Sequence, residues 1–304
     1  MRAAAIFGLG TSPGDLKQFQ AGSSTKWLDG LPGSSSDADA VLLFGGDGTI
    51  HRHLAALVRL RLPVLVVPAG SGNDFARALH LRSVAVSLRA WQKFEAGRLQ
   101  PLAIDLGLIT PANSPEKHHY FCCVAGCGLD SAVARLANQM PRWLRARGGY
   151  AMGLVPTILQ FAPFPLRITT QNGGASQSSE VLTTLATFAN TQYYGGGMQI
   201  APHAEMDDGM LDVCLIREVN KWKMLSLFPT VYFGRHLNLR ESSYSKAESV
   251  RLETESPCDI YADGEYVCAT PAEIRVVPHA LQVIAPMEGR ASRLSSRAGT
   301  PGSP

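Results

Sequence analysis

Two short apolar runs in the first third of the chain each end in a glycine-rich turn, and each turn is followed by a helical pattern. Residues 41–44 lead into the turn at residues 45–49, and residues 64–67 lead into the turn at residues 70–74. Five residues between them have the spacing of one helical face that ends in a basic last turn: Ile50, Leu54, Leu57, Val58 and Arg61. The pattern predicts adjacent strand–helix units of a parallel sheet.

The pattern of hydrophobic and polar residues changes near residue 105. Residues 3–104 read as strand–helix units that begin with a strand at residues 3–7. Later strand-like runs occupy residues 120–124, 166–170, 181–189, 211–216, 249–253, 273–277 and 280–284. A helical insertion is predicted from about residue 132 to residue 161, and turns at residues 110–118 and 172–179.

This organisation predicts an α/β domain over residues 1–104 and a mostly β domain over residues 105–287. The last residues, 288–304, are rich in Ser, Gly, Pro and Arg and are expected to be disordered.

Composition narrows the class of protein. The chain has 304 residues, of which 45% are hydrophobic, which is enough for two cores. The formal charge of +3 is too small to argue for nucleic-acid binding. No run reaches the length of a spanning helix and no cleavable signal pattern is present, so a cytoplasmic location is expected. The six cysteines lack a paired CxxC spacing and are expected to be reduced.

The two glycine-rich turns carry the candidate chemistry. Turns at the carboxyl ends of parallel strands direct backbone N–H groups toward one crevice, and glycine allows close approach to a phosphate. Asp47 and Asp74 would repel that phosphate, and a divalent cation between carboxylate and phosphate removes the conflict. The pair of turns therefore predicts a site for a nucleotide with Mg²⁺, although either turn alone is also a good structural turn.

These motifs closely resemble the diacylglycerol kinase catalytic-domain family, which includes sphingosine kinases and soluble bacterial lipid kinases. The resemblance rests on Gly-Gly-Asp-Gly-Thr at residues 45–49 and Pro-Ala-Gly-Ser-Gly-Asn-Asp-Phe-Ala-Arg at residues 68–77. Further motifs that resemble those of the family follow in the same order at residues 104–107, 125–130, 189–190, 194–197, 201–202, 207–212 and 263–265. The resemblance implies an ATP-dependent lipid kinase that acts in the cleft between a Rossmann-like α/β domain and a C-terminal β-sandwich.

The resemblance also implies which residues bind ATP. Backbone N–H groups of both turns would hold the phosphates, with hydroxyl groups adding hydrogen bonds. The implied residues are Gly45, Gly46, Asp47, Gly48, Thr49, Ile50, His51, Gly70, Ser71, Gly72 and Asn73. Thr25 is a further expected contact, although residues 8–14 depart from the loop that many members have after the first strand.

The resemblance also implies two Mg²⁺-binding sites. Asp47, Asp74 and Asp105 would form a water-linked network around a catalytic Mg²⁺, whereas a helix N-terminal acid is the alternative role of Asp74. Glu205, Asp208 and the Met210 carbonyl would bind a structural Mg²⁺. An acidic turn without an ion is the alternative there.

The Asp-Gly-Glu loop at residues 263–265 supplies the expected general base. Glu265 would accept the proton of the lipid hydroxyl, with Asp263 as the second candidate. Without the upstream motifs this sequence is also typical of an ordinary hairpin turn.

A membrane surface is the expected partner besides ATP. Basic residues beside an apolar run in the helical insertion suit docking on anionic lipid, but they also suit a core helix with a solvated end. The basic residues are Arg142, Arg145 and Arg147, with Arg290, Arg293 and Arg297 in the tail. A homodimer is possible. The rival functions are a soluble-substrate kinase of the NAD kinase type and a catalytically silent lipid- or nucleotide-binding module.

Overall fold

The structure is a computed structural model that describes residues 1–139 and 149–286. Its strands are β1 (Arg2–Phe7), β2 (Lys26–Asp29), β3 (Ala40–Gly45), β4 (Val64–Pro68), β5 (Leu102–Pro111), β6 (His119–Phe121), β7 (Val124–Gly128), β8 (Phe164–Asn172), β9 (Ala175–Ala189), β10 (Leu211–Arg217), β11 (Ser242–Ala247), β12 (Ser249–Glu253), β13 (Asp259–Ala262), β14 (Glu265–Ala269) and β15 (Ala272–Val283).

The described α-helices are α1 (Pro13–Gln20), α2 (Asp47–Leu60), α3 (Asp74–Ala78), α4 (Val84–Glu95), α5 (Leu129–Gln139), α6 (Gly149–Gln160) and α7 (Lys221–Leu227). Two 3₁₀ helices follow α7, at Phe228–Phe233 and Arg235–Asn238.

Four parallel strands form the N-terminal lobe in the order β4-β3-β1-β2. Every residue of β3 is buried, as expected for a parallel strand with both faces covered by helices. Helix α2 buries Ile50, Leu54, Leu57 and Leu60, and it ends at Arg61, whose φ of 54° is left-handed. The predicted strand–helix unit is therefore present.

The C-terminal lobe is built from antiparallel strands around a second apolar core. Strand β15 pairs with β5 along most of its length, and Val283 is also in register with Val64 of β4. Because β15 touches both β4 and β5, the sheet continues from one lobe into the other. The predicted division at residues 104 and 105 falls within β5 and stays a prediction.

The fold is of the predicted class, an α/β lobe followed by a β-sandwich lobe with a helical insertion. The insertion contains α5 and α6, whereas the arginines predicted to contact a membrane at positions 142, 145 and 147 lie outside the described residues. The predicted disordered tail, residues 288–304, lies outside them as well. None of the described helices is long and apolar enough to span a bilayer.

The predicted turn at residues 172–179 is much shorter in the structure. Strand β8 continues to Asn172 and β9 begins at Ala175, so only Gly173 and Gly174 form the turn, both with positive φ. The Ser and Gln residues that suggested a loop pair with β8 as an exposed ribbon. Polar composition was misleading because a strand pair with solvent on both sides needs no apolar residues.

Candidate active site between the two lobes

The two glycine-rich turns pack directly against each other. A Cβ atom on Gly46 would lie 2.8 Å from the Gly70 Cα, and one on Gly70 would lie 2.5 Å from the Gly46 Cα. Real side chains cannot occupy such positions without a shift of the backbone. Glycine is therefore required at both positions for the turns to face a common crevice.

Helix α2 begins within the first turn, at Asp47, three residues earlier than the sequence pattern suggested. The N–H groups of Thr49 and Ile50 donate to the Gly46 carbonyl at 2.9 and 3.2 Å, and the Ile50 side chain is buried. These two amides are therefore already used by the helix. The N–H groups that an α-helix leaves without an intrahelical acceptor are those at its very start, which here are at Asp47 and Gly48.

In the second turn, Asn73 has a structural task. Its Oδ1 accepts from the Gly70 N–H at 2.8 Å, and its Nδ2 donates to the Gly70 carbonyl at 2.6 Å. Asn73 itself adopts a left-handed φ of 54°. This double hydrogen bond closes the turn and leaves Ser71 and Gly72 on the wall of the crevice.

Asp47 and Asp74 lie side by side. Asp47 accepts the N–H groups of Asp74 and Phe75, both at 3.1 Å, so it caps helix α3. Asp74 accepts from Arg77 Nη1 and from the Gly196 N–H, both at 2.7 Å. A Cβ on Gly72 would lie 2.9 Å from one oxygen of Asp47 and 3.6 Å from one oxygen of Asp74.

Burial disfavours the charged form of both carboxylates. Burial raises the pKa of Asp47, and the negative charge of Asp263 adds to the effect. Burial and next the charge of Asp47 raise the pKa of Asp74 to about 6. A nearby cation would relieve both effects, so the pair fits a divalent ion. Because the oxygens already accept hydrogen bonds from the protein, the fit is to an ion held through water.

Asp105 is fully buried and makes different contacts. Its two oxygens accept the N–H groups of Gly209 and His279, both at 2.8 Å. Among the described residues, the three metal-capable side chains with ligand atoms all within 4.8 Å of one another are Cys122, Cys123 and Asp263. The three predicted aspartates do not form such a compact group, and their water-linked network stays a prediction.

The Asp-Gly-Glu loop lies opposite the first glycine-rich turn. The Glu265 Oε1 is 3.4 Å from the position that a Cβ on Gly48 would take, and Glu265 is exposed. The side chain of Asp263, in contrast, has no exposed surface. It accepts the N–H groups of Cys122, Cys123 and Val124 at 2.8–3.3 Å.

His51 is a site residue that sequence reasoning placed only as a backbone donor. Its Nδ1 lies 3.3 Å from Asp263 Oδ2. Burial alone would lower the pKa of His51, but the hydrogen bond to Asp263 and the charges of Asp263 and Glu265 raise it overall. Its spacing of four residues from Asp47 on α2 was the available signal, because such residues share a helix face.

A cavity of about 400 Å³ opens between these groups. Residues of both lobes line it, among them Asp47, Asp74 and Asp263. Asp130, at the start of α5, also lines it, and burial raises the pKa of Asp130 to about 8. The sequence analysis gave Asp130 no role, because a single aspartate after a glycine-rich strand carries no spacing signal.

Lys246 lies within the predicted structural Mg²⁺ site. Asp208 accepts the Met210 N–H at 3.0 Å and the Lys246 ammonium at 2.5 Å, and Lys246 Nζ lies 3.9 Å from Asp212. The negative charge of Glu205 also raises the pKa of Lys246. The carboxylates chemically suit a hard cation, but Lys246 already supplies positive charge there. The ion stays a prediction.

Thr25 lies directly before strand β2. Its hydroxyl donates to Glu95 Oε1 at 2.6 Å, which connects the start of β2 to helix α4. Thr25 is buried and is not among the residues that line the cavity. Its expected contact with ATP stays a prediction.

Paired glycine-rich turns and acidic residues in a cleft between two lobes are typical of enzymes that act on phosphate groups. Comparison with known proteins identifies the family. Residues 18–106 match the diacylglycerol kinase catalytic domain. Residues 123–285 match the YegS C-terminal NAD kinase beta sandwich-like domain. The chain belongs to the diacylglycerol kinase family and is thereby a kinase.

Individual relatives agree with this assignment. Diacylglycerol kinase of Mycobacterium tuberculosis (strain ATCC 25618 / H37Rv) is 36% identical over 83% of this chain and 78% of that protein. Diacylglycerol kinase of Bacillus subtilis (strain 168) is 27% identical, and the match covers 82% of this chain and 78% of that protein. A crystal structure of a diacylglycerol kinase from Bacillus anthracis str. Sterne superposes on this chain with a TM-score of 0.64, and the match covers 94% of this chain and 97% of that chain. At 19% identity that last similarity shows the fold.

Proposed function

We propose that this kinase transfers the γ-phosphate of ATP to a hydroxyl group of diacylglycerol or a related lipid. One observation carries the proposal: the Glu265 carboxylate of the C-terminal lobe lies 3.4 Å from the Cβ position of Gly48 in the first glycine-rich turn. A proton acceptor thus faces the start of helix α2, where phosphate would bind. The names of the relatives supply the lipid class.

The nucleotide side of the reaction needs charge compensation. The amides at the start of α2 and the turn at Ser71 and Gly72 would hold the phosphates. Asp47 and Asp74 would hold Mg²⁺ through water, and the ion when bound would neutralise charge on the phosphoryl group. The remaining task of the protein is to position the acceptor hydroxyl.

Glu265 suits the role of general base better than Asp263. A base must have a free lone pair that can reach the proton of the acceptor. Asp263 accepts three backbone N–H groups and contacts His51, whereas Glu265 is exposed beside Gly48. Glu265 would take the hydroxyl proton while the oxygen bonds to the γ-phosphorus and the bond to ADP breaks. Asp263 and His51 would hold the loop in place.

The lipid side has room for an apolar tail. A second cavity of about 520 Å³ is lined mainly by apolar residues, Leu129, Ile158, Phe161, Pro163, Val219, Trp222 and Met224, together with the polar residues Thr184, Glu218, Asn220 and Lys221. Leu129 belongs to this cavity and the next residue, Asp130, to the site cavity. An acceptor with a hydroxyl head and an acyl tail could therefore extend from one cavity toward the other.

Purified protein with labelled ATP, Mg²⁺ and a panel of lipids tests the proposal. The wild type should label a lipid, and Glu265→Gln should lose label transfer by about a hundredfold or more, which is the usual size of a general-base contribution. Glu273→Gln is the matched control, because Glu273 is exposed on β15 away from the cavity. Both variants should keep the thermal unfolding midpoint of the wild type.

Other outcomes separate the rivals. Transfer of label to NAD in the absence of lipid would identify a soluble-substrate kinase. Nucleotide binding by calorimetry with no transfer to any lipid would identify a silent module. Equal turnover by Glu265→Gln and the wild type would remove Glu265 from its role.

A further inference from the structure

Helix α7 and the 3₁₀ helix after it present large apolar side chains to solvent. Trp222 is 72% exposed, Phe233 is 71% exposed and Tyr232 is 43% exposed. On the neighbouring helix α6, Val155 and Leu159 are also exposed. These five residues are named here the aromatic face. Helix α7 contacts both α6 and the 3₁₀ helix at Phe228–Phe233, so these exposed apolar residues lie on neighbouring elements, which is typical of an interaction surface.

The backbone under the aromatic face is well anchored. Asn220 caps α7 by accepting the Trp222 N–H at 2.9 Å, and Met224 and Val231 are buried beneath the surface. Lys221 Nζ donates to the Leu159 carbonyl at 2.6 Å, which connects α7 to α6. Because buried neighbours hold these helices in place, the outward direction of Trp222 and Phe233 is a property of the fold.

The charges of the chain segment that carries α7 and both 3₁₀ helices favour an anionic partner. Residues 217–241 contain five cationic side chains, Arg217, Lys221, Lys223, Arg235 and Arg240, and two acidic ones, Glu218 and Glu241. Lys223 pairs with Glu241 at 2.5 Å. The remaining excess is positive. Tryptophan and tyrosine favour the interface between lipid headgroups and acyl chains, and lysine and arginine side chains are attracted to an anionic bilayer.

The aromatic face is continuous with the apolar cavity. Trp222 and Lys221 line the cavity of about 520 Å³, together with Leu129 of helix α5. A bilayer against the aromatic face would therefore meet the opening of the apolar cavity. That arrangement suits an acceptor that leaves a membrane without crossing water, and in this respect the inference rests on the proposed function.

We propose that the aromatic face docks on the surface of a membrane that contains anionic lipid. Trp222 and Phe233 insert at the headgroup level while the neighbouring cations contact lipid phosphates. The lipid acceptor enters beside Trp222. The docking surface thus lies on the helices of the C-terminal lobe, within the described part of the chain.

Sedimentation with vesicles tests the docking surface directly. The wild type should bind vesicles of phosphatidylglycerol and phosphatidylcholine more strongly than vesicles of phosphatidylcholine alone. The double variant Tyr232→Ala, Phe233→Ala should bind the anionic vesicles at least about tenfold more weakly, because it removes two insertable aromatic side chains. Leu28→Ser is the matched control, since Leu28 is 38% exposed on strand β2 of the other lobe.

A second measurement separates docking from catalysis. With a short-chain acceptor dispersed below its aggregation concentration, the double variant should keep the turnover of the wild type, because neither Tyr232 nor Phe233 lines the site cavity or the apolar cavity. If no lipid is phosphorylated by any form, the proposed function fails while a loss of vesicle binding still supports docking. Equal vesicle binding by the double variant and the wild type would overturn the docking surface. A change from dimer to monomer without a change in vesicle binding would instead assign the aromatic face to a second copy of the chain.

Discussion

His51 Nδ1 and Asp263 Oδ2 lie 3.3 Å apart, and this contact joins helix α2 of the N-terminal lobe to the loop before β14 in the C-terminal lobe. The two residues are 212 positions apart in the chain. The contact holds the Asp-Gly-Glu loop against the first glycine-rich turn. Glu265 can therefore face Gly48 only while the two lobes keep this arrangement.

Replacing His51 with Asn should weaken this junction in a pH-dependent manner. The pKa of His51 in the folded protein is raised above 6.5, so protonated His51 stabilises the fold. That contribution is fully present below pH 6.5 and is lost as the pH rises through the folded pKa. The variant should lose about 1–3 kcal/mol at pH 6, the usual contribution of a charged hydrogen bond, and less at pH 8.5.

Urea denaturation of both proteins from pH 5.5 to pH 8.5 measures the difference. His53→Asn is the control, because burial lowers the pKa of His53 and its removal should change the pH slope in the opposite sense. An identical pH slope for His51→Asn and the wild type would contradict the assigned role of His51.

Gly48 and Gly46 should respond differently to alanine. A Cβ on Gly48 meets only the Glu265 Oε1, at 3.4 Å, which is an ordinary contact. Gly48→Ala should therefore fold, with unfolding free energy unchanged or raised by up to about 1 kcal/mol because alanine favours helix. Its turnover should fall by about tenfold or more, since the methyl group lies between the glutamate and the expected phosphate.

Gly46→Ala should show the opposite balance. Its Cβ would lie 2.8 Å from the backbone of Gly70, so the turns must separate, at a cost of about 1–3 kcal/mol in unfolding free energy. Thermal melts and turnover of both variants check the contrast. A fully active Gly48→Ala protein would argue against phosphate transfer at this place.

Asp130 should be largely protonated at neutral pH, because burial raises its pKa to about 8. A raised pKa means that the fold favours the neutral carboxyl group, so stability falls as the pH rises from the unfolded pKa through pH 8. Asp130→Asn mimics the neutral form. The unfolding free energy of the variant should exceed that of the wild type already at pH 6, and the difference should grow by roughly 1–3 kcal/mol by pH 9, because one pKa unit corresponds to about 1.4 kcal/mol.

The unfolding free energy at the two pH values decides this point. Asp259→Asn, a substitution of a partly exposed aspartate on β13, serves as the control. If Asp130→Asn is equally or less stable than the wild type at pH 9, the carboxyl group is ionised in the folded protein and its environment has been misjudged.

Lys246 should decide whether the acidic turn at residues 205–210 responds to Mg²⁺. Its ammonium contacts Asp208 and lies 3.9 Å from Asp212. Lys246→Met should be less stable than the wild type by roughly 1–3 kcal/mol, because it leaves carboxylates without their cation. Millimolar Mg²⁺ should then raise the melting temperature of the variant more than that of the wild type, since an ion that binds only the folded state stabilises it.

Lys223→Met provides the comparison, because Lys223 pairs with an acidic residue outside this turn. Melting curves with Mg²⁺ and with a chelator measure the effect. A variant whose melting temperature is insensitive to Mg²⁺ would rule out a Mg²⁺ station at Glu205, Asp208 and Met210.

The elements that were predicted well are those whose pattern is local and strong. Strand β3 reads as a continuous apolar run because it is buried on both faces, and β12 is found at residues 249–253 as predicted. The error at residues 172–179 has a physical cause as well. The start of β9 is stabilised by pairing with β8, and hydrogen bonds between backbones leave no mark on side-chain composition.

The site was predictable only in part. The glycine-rich turns and the Asp-Gly-Glu loop are motifs, and a motif can be recognised from the amino-acid sequence alone. The link from His51 to Asp263 and the place of Lys246 are not, because each depends on a partner more than thirty residues away. The neutral state expected for Asp130 likewise follows from burial, which the sequence does not report.

The sequence by itself determined the first strand–helix units, the change to a mostly β second lobe, the two turns able to approach a phosphate, and the family. These follow from side-chain periodicity and from glycine's freedom at a close backbone contact. Only the tertiary structure decided which carboxylate faces Gly48, which one is held by backbone amides, and which aromatic side chains remain in solvent. Those outcomes depend on contacts between residues far apart in the chain, such as that of His51 with Asp263, and on burial by neighbouring elements, neither of which is a local property of the sequence.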